Sequence, residues 1–93
     1  MNILLVEDDR SLAEYIVREL QRAGHHLVHC AAGDSALERC RCEPFDVWII
    51  DRMLPGRDGL SLLQARRSEG DETPALILSA LGEVGDRVQG LQS

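Results

Sequence analysis

Four consecutive apolar residues, Val47-Trp48-Ile49-Ile50, stop at Asp51, and Arg52-Met53-Leu54-Pro55-Gly56 leads the chain away. A run so short, with β-branched and aromatic members, reads as a strand buried on both faces of a parallel sheet. Ile3-Leu4-Leu5-Val6 and Ala75-Leu76-Ile77-Leu78 repeat the pattern. Short apolar runs separated by amphipathic stretches restrict the chain to an alternating β/α architecture. Asp51 alone has an ordinary reading, as a strand end or the cap of a turn. Open α/β sheets place ligand chemistry at the carboxyl ends of their strands, so the other strand ends must decide.

Ile3 to Val6 is the first strand, and Glu7-Asp8-Asp9 follows it directly. Ser11 with Glu14 three residues on is a capping-box pattern that opens a helix. Leu12, Ala13, Ile16, Val17 and Leu20 share one stripe of it, Glu14, Arg18, Glu19 and Arg22 face away, and Gly24 stops it. Asp9 is the better candidate for the N-cap than for a ligand role, since Asp is a favoured cap. His26-Leu27-Val28-His29-Cys30 is a second, less apolar strand suited to a sheet edge. Gly33-Asp34-Ser35 starts a short helix with Ala36, Leu37 and Cys40 inward. Pro44-Phe45-Asp46 breaks the chain before the central strand. Asp58 caps a third helix with Leu60, Leu63 and Leu62 as inward candidates, and Gly70 to Thr73 is polar loop. Pro74 to Leu78 is the fourth strand, ending at Ser79-Ala80. Val84, Val88 and Leu91 have helical spacing, weakened by Gly82, Gly85 and Gly90 at about 1 kcal/mol each.

Ninety-three residues amount to one domain, and 3% aromatic content leaves the core to Leu, Ile, Val and Ala. The net charge is -6 and the chain contains no Lys. Such a surface is ill suited to a nucleic-acid backbone. Cys30, Cys40 and Cys42 form no C-x-x-C pair, and with His25, His26 and His29 they match no zinc template. An odd thiol count in an aliphatic domain suggests a reducing, cytoplasmic setting. The four apolar residues after Met1-Asn2 constitute neither a signal peptide nor a membrane span. Trp48 reads as core, and Arg52 as solvent-facing.

Right-handed βαβ crossovers bring the carboxyl ends of all strands to one rim. That rim gathers Glu7-Asp8-Asp9, Asp51 and Ser79. Clustered carboxylates repel one another, and a hard divalent cation with oxygen ligands, Mg²⁺ especially, relieves the repulsion. A carboxylate beside Mg²⁺ can attack a phosphoryl group while a nearby hydroxyl steadies the phosphoryl oxygens.

Ile3-Leu4-Leu5-Val6-Glu7-Asp8-Asp9, Pro44 to Asp51, Met53-Leu54-Pro55, Asp58-Gly59 and Ser79-Ala80 resemble the receiver domain of bacterial two-component response regulators. The wording of the first and third motifs is most similar to the OmpR/PhoB-type transcription factors. The resemblance runs from residue 2 to the end, with the motifs in order. It implies a flavodoxin-like (CheY-like) doubly wound parallel sheet with strands ordered 2-1-3-4, to which the family adds a fifth. It implies that Asp51 accepts a phosphoryl group from a sensor histidine kinase. Glu7 and Asp8 match the acidic pair that holds Mg²⁺ with Asp51, and the backbone carbonyl of Met53 matches a further ligand. Ser79 matches the switch hydroxyl.

The family's fifth strand carries a Lys that pairs with the phosphoryl group, and an aromatic switch residue; neither falls within these 93 residues. Residues 1–93 therefore read as a receiver domain incomplete at its C-terminus, its DNA-binding effector domain absent. DNA contact is expected only through that effector, no membrane contact is expected, and self-association is. Two other functions compete. An aspartyl-phosphate hydrolase resembles Asp-x-Asp, whose second Asp moves protons; Met53 occupies that position and cannot. The chain is thus not expected to be a turnover enzyme. The other competitor is a receiver-like interaction module that phosphorylation does not switch in this form.

Overall fold

A computed structural model of the chain describes residues 1–78. Seven elements alternate: β1 (Asn2–Val6), α1 (Arg10–Arg22), β2 (His26–Cys30), α2 (Gly33–Cys42), β3 (Val47–Asp51), α3 (Gly59–Ser68) and β4 (Ala75–Leu78). The strands form one parallel sheet in the order β2-β1-β3-β4. Leu4 lies beside Val28 and Trp48, and Asp51 beside Leu78. The less apolar β2 does occupy an edge. Ser79 and the helix expected after it lie outside the described residues.

The continuous apolar character of β1 has a direct cause: Ile3, Leu4, Leu5 and Val6 are all buried. Side chains alternate across a sheet, so Trp48 and Ile50 share one face of β3, and Ile49 lies on the other. The first face closes into a core with Leu4, Val6, Ala75 and Ile77, covered by Ala36, Leu37 and Cys40 of α2 and Leu62 and Leu63 of α3. On the second face, Tyr15, Ile16 and Leu20 of α1 approach Ile49, Leu76 and Leu78, leaving a shallow apolar groove. The expectation that β3 is buried on both faces therefore holds on one. Val47 and Ile49 stay half-buried, because α1 alone approaches that side among the described residues.

Three local readings change. Helix α1 begins at Arg10, not at Ser11, because the Asp9 carboxylate accepts the Leu12 N–H at 3.1 Å. Ser11 thus sits inside the helix and the capping box does not form. Leu12 is 41% exposed, off the buried stripe. In α3, Leu62 is fully buried, while Leu60 is only partly so. Asp58 caps α3 as expected, accepting the Ser61 N–H at 2.8 Å. Gly24 ends α1 with φ of 95°, a left-handed value that glycine adopts freely.

Candidate functional site

Parallel pairing carries the ends of β1 and β3 to the same edge of the sheet, since Val6 lies beside Ile50. Glu7 and Asp8 follow β1 at once, and Asp51 is the last residue of β3. One carboxylate oxygen from each of Glu7, Asp8 and Asp51 can be chosen so that all lie within 4.8 Å of one another. Among the described residues this is the one such cluster of metal-ligating side chains. The histidines and cysteines form none. Cys30 and Cys40 are buried and Cys42 is exposed. Burial pushes the Cys40 thiol up to about 12, a poor state for ligation.

The surroundings of the three carboxylates differ. Glu7 is 2% exposed and Asp51 9%. Burial pushes the Glu7 carboxyl up to about 7; the Asp9 N–H, donating at 3.0 Å, pulls it down, and neighbouring Asp51 and Asp8 push it up again. A buried carboxylate beside two others is a charge in want of a cation. The donors are all oxygens, gathered at a partly open rim, and this set suits a hard ion such as Mg²⁺ that retains some of its water. The residues fit the ion.

The cleft is about 380 Å³ and is lined by Glu7, Asp8, Asp9, Leu12, Asp51, Met53 and Leu78. Met53 reaches it through the β3–α3 loop, its N–H donating to Asp51 Oδ1 at 3.2 Å and the residue 66% exposed. Arg52 is exposed, as expected, and its N–H donates to the Leu78 carbonyl at 3.0 Å. That bond ties the loop to the end of β4. Ser79, the remaining expected site residue, lies outside the described residues. Asp9 serves as the cap of α1.

Two supporting residues escaped the sequence reading. His29 Nε2 lies 2.7 Å from the Glu7 carbonyl oxygen, so its ring N–H can hold the backbone of the acidic turn. Gly59 lies against the Asp51 backbone: a Cβ there would stand 2.3 Å from the Asp51 carbonyl oxygen. The Asp58-Gly59 pair was a visible signal for the second, whereas nothing local marks His29.

Residues 3–93 match the family described as the response regulator receiver domain. The chain belongs to that family. It is 43% identical over 88 residues to the transcriptional activator protein PfeR of Pseudomonas aeruginosa, covering 95% of this chain and 28% of PfeR. It is 37% identical over 93 residues to the response regulator MprA of Mycobacterium avium, covering 41% of that protein. The chain thus spans well under half the length of these curated relatives. Among solved structures, the receiver domain of Francisella response regulator 1452 superposes with a TM-score of 0.87 at 33% identity, covering 98% of this chain and 75% of that one. The receiver domain of sensor histidine kinase PA1611 from Pseudomonas aeruginosa, solved with a magnesium ion in its active-site cleft, gives 0.84 at 31% identity, covering 98% of this chain and 76% of that one. The fold and order 2-1-3-4 are those of a CheY-like receiver, and the relatives named as transcriptional regulators agree with an OmpR/PhoB-type domain. This is a signalling domain. No described helix is long and apolar enough to cross a membrane.

Proposed function

We propose that the receiver accepts a phosphoryl group on Asp51 from a phosphohistidine of a sensor histidine kinase. The observation that carries the reading is the Glu7–Asp8–Asp51 cluster at one strand rim, with Glu7 buried and its carboxyl pushed up to about 7. Glu7, Asp8 and Asp51 would hold Mg²⁺ together with the backbone carbonyl of Met53. When bound, the ion supplies neutralisation of the charge on the carboxylate and phosphoryl oxygens. The Met53 N–H donates to Asp51 Oδ1, so the carboxylate is fixed in rotation before the donor arrives. An Asp51 oxygen attacks phosphorus, the bond from phosphorus to the donor nitrogen breaks, and its electron pair stays on the imidazole. Ser79 is assigned the hydroxyl that steadies the phosphoryl oxygens and changes position with them.

In the natural protein we assign the domain to cytoplasmic two-component signalling that controls transcription through a DNA-binding effector region outside these residues. PfeR is named a transcriptional activator and MprA a response regulator, which supports the link to transcriptional control. Residues 1–93 are then most of a receiver whose fifth strand and effector lie beyond them. The competing reading is a receiver-like interaction module that phosphorylation does not switch, in which the Asp51 cluster stays unmodified.

Acetyl phosphate and Mg²⁺ added to the natural protein separate the two. Covalent phosphoprotein that forms with Mg²⁺ and not with EDTA supports the first reading. Absence of phosphoprotein with either acetyl phosphate or phosphorylated kinase, in protein that still binds Mg²⁺, supports the second.

A further inference from the structure

The loop between β3 and α3 starts at the acceptor and has no regular structure over residues 52–58. Its first end is held at the site, where the Met53 N–H meets Asp51 and the Arg52 carbonyl accepts the Gly59 N–H at 3.0 Å. Its far end rests on a different element. Gly33, the first residue of α2, is buried, and a Cβ added to it would stand 2.1 Å from the Arg57 carbonyl oxygen and 2.9 Å from Arg57 Cβ. Real side chains do not approach so closely. From the same end, Arg57 Nε donates to Asp34 Oδ1 at 3.3 Å and its terminal nitrogen to Ser61 Oγ at 3.1 Å. Arg57 thus bridges the first turn of α2 to the first turn of α3.

Gly33 is not among the glycines with positive φ, which among the described residues are Gly24, Gly56 and Gly70. Its backbone would accept any residue, and within a helix Ala would be preferred. Space alone requires a glycine, and the space is taken by the loop that leads back to Met53. Between Met53 and Arg57 stand three residues, one of them Pro55 with its fixed φ. So short a span transmits a displacement at Arg57 to Met53.

We infer that Gly33 and Arg57 are positioning residues for phosphoryl transfer, acting by seating the β3–α3 loop on α2 so that Met53 is held against Asp51. The inference rests on the assignment of Asp51 as acceptor. An alanine at position 33 must move the loop by roughly 1 Å, and a shift of about that size in a reacting geometry can lower a rate on the order of 10²-fold.

The test compares wild type, Gly33→Ala, Arg57→Gln, Asp34→Asn and the Arg57→Gln/Asp34→Asn double variant in the natural full-length protein. Three quantities are read: the rate of phosphoprotein formation from acetyl phosphate, the Mg²⁺ midpoint by titration calorimetry, and amide exchange at Met53 and Gly59. Gly33→Ala is expected to unfold cooperatively, to slow labelling about tenfold or more, to weaken Mg²⁺ binding and to speed exchange at Met53. Arg57→Gln and Asp34→Asn should act in the same direction more weakly, with the double variant no worse than either single one. Since Arg57 and Asp34 form a surface pair, those variants decide the matter if Gly33→Ala does not fold. Wild-type rates, midpoints and exchange in every folded variant overturn the inference. A wild type that is never labelled on Asp51 overturns the acceptor assignment instead, so the two failures are distinct.

Discussion

Glu7 is buried beside Asp51 and Asp8, and its carboxyl is raised from 4.5 to about 7, first by burial and then by those neighbours. The unfolded chain ionises this group near 4.5, so between about 4.5 and 7 the folded protein holds the extra proton. Stability from that proton is complete below about 4.5 and is lost as pH rises through about 7, by on the order of 3 kcal/mol. Glu69, held at about 2 by Arg41 and Arg66, works in the opposite sense, but its contribution is already complete above about 4.5. Thermal unfolding in EDTA is therefore expected to show a lower Tm at pH 8 than at pH 5. Millimolar Mg²⁺ should remove most of the difference by offsetting the repulsion. A Tm in EDTA that rises over the same window contradicts this picture of Glu7. The candidacy of Glu7, Asp8 and Asp51 was legible because Glu7-Asp8 and Asp51 each stand directly at the end of an apolar run. The raised carboxyl of Glu7 was not, since it depends on how deeply the rim is covered.

At the scale of elements, the strands were legible because four-residue apolar runs fit few alternatives. Helix starts were harder, since two signals competed for α1. Ser11 and Glu14 formed the better-known pattern, yet the Asp9 carboxylate reaches the Leu12 N–H and starts the helix one residue before Ser11. Asp9→Ala should then destabilise the protein by about 1 kcal/mol, while Ser11→Ala should stay within about 0.5 kcal/mol of wild type. Urea unfolding of both variants checks this, and the opposite ranking would restore the capping box. Contacts between elements far apart in sequence leave no local mark. The seat of Arg57 on Gly33 joins residues 24 positions apart, and both glycine and arginine there would pass as loop residues. The same holds for the Arg66 cluster, where the C-terminal turn of α3 is pinned to Asp71 at 2.6 Å and to Glu69, which also pairs with Arg41 of α2 at 2.5 Å.

For the whole molecule, the two faces of the sheet are unequal. The α2–α3 side is a closed core, while Ile49, Leu76 and Leu78 meet α1 across an apolar groove of about 370 Å³. The 93 residues also correspond to 75% of the Francisella receiver chain. As an isolated polypeptide they are expected to self-associate, because β4 pairs with β3 alone among the described strands and has no Lys or Pro within Ala75–Leu78 to discourage edge pairing. Sedimentation velocity over a concentration series should show a rising weight-average mass. A monomer at every concentration with cooperative unfolding would contradict that expectation.

Asp51 is proposed above as the phosphoryl acceptor. The most direct measurement is to expose the natural protein to phosphorylated histidine kinase or acetyl phosphate with Mg²⁺, trap the acyl phosphate by borohydride reduction, and map the modified residue by mass spectrometry. Modification is expected in the peptide containing Asp51, at that residue, with none in Asp51→Asn. Modification that persists undiminished in Asp51→Asn, or that maps to Glu7 or Asp8 in the wild type, would contradict it.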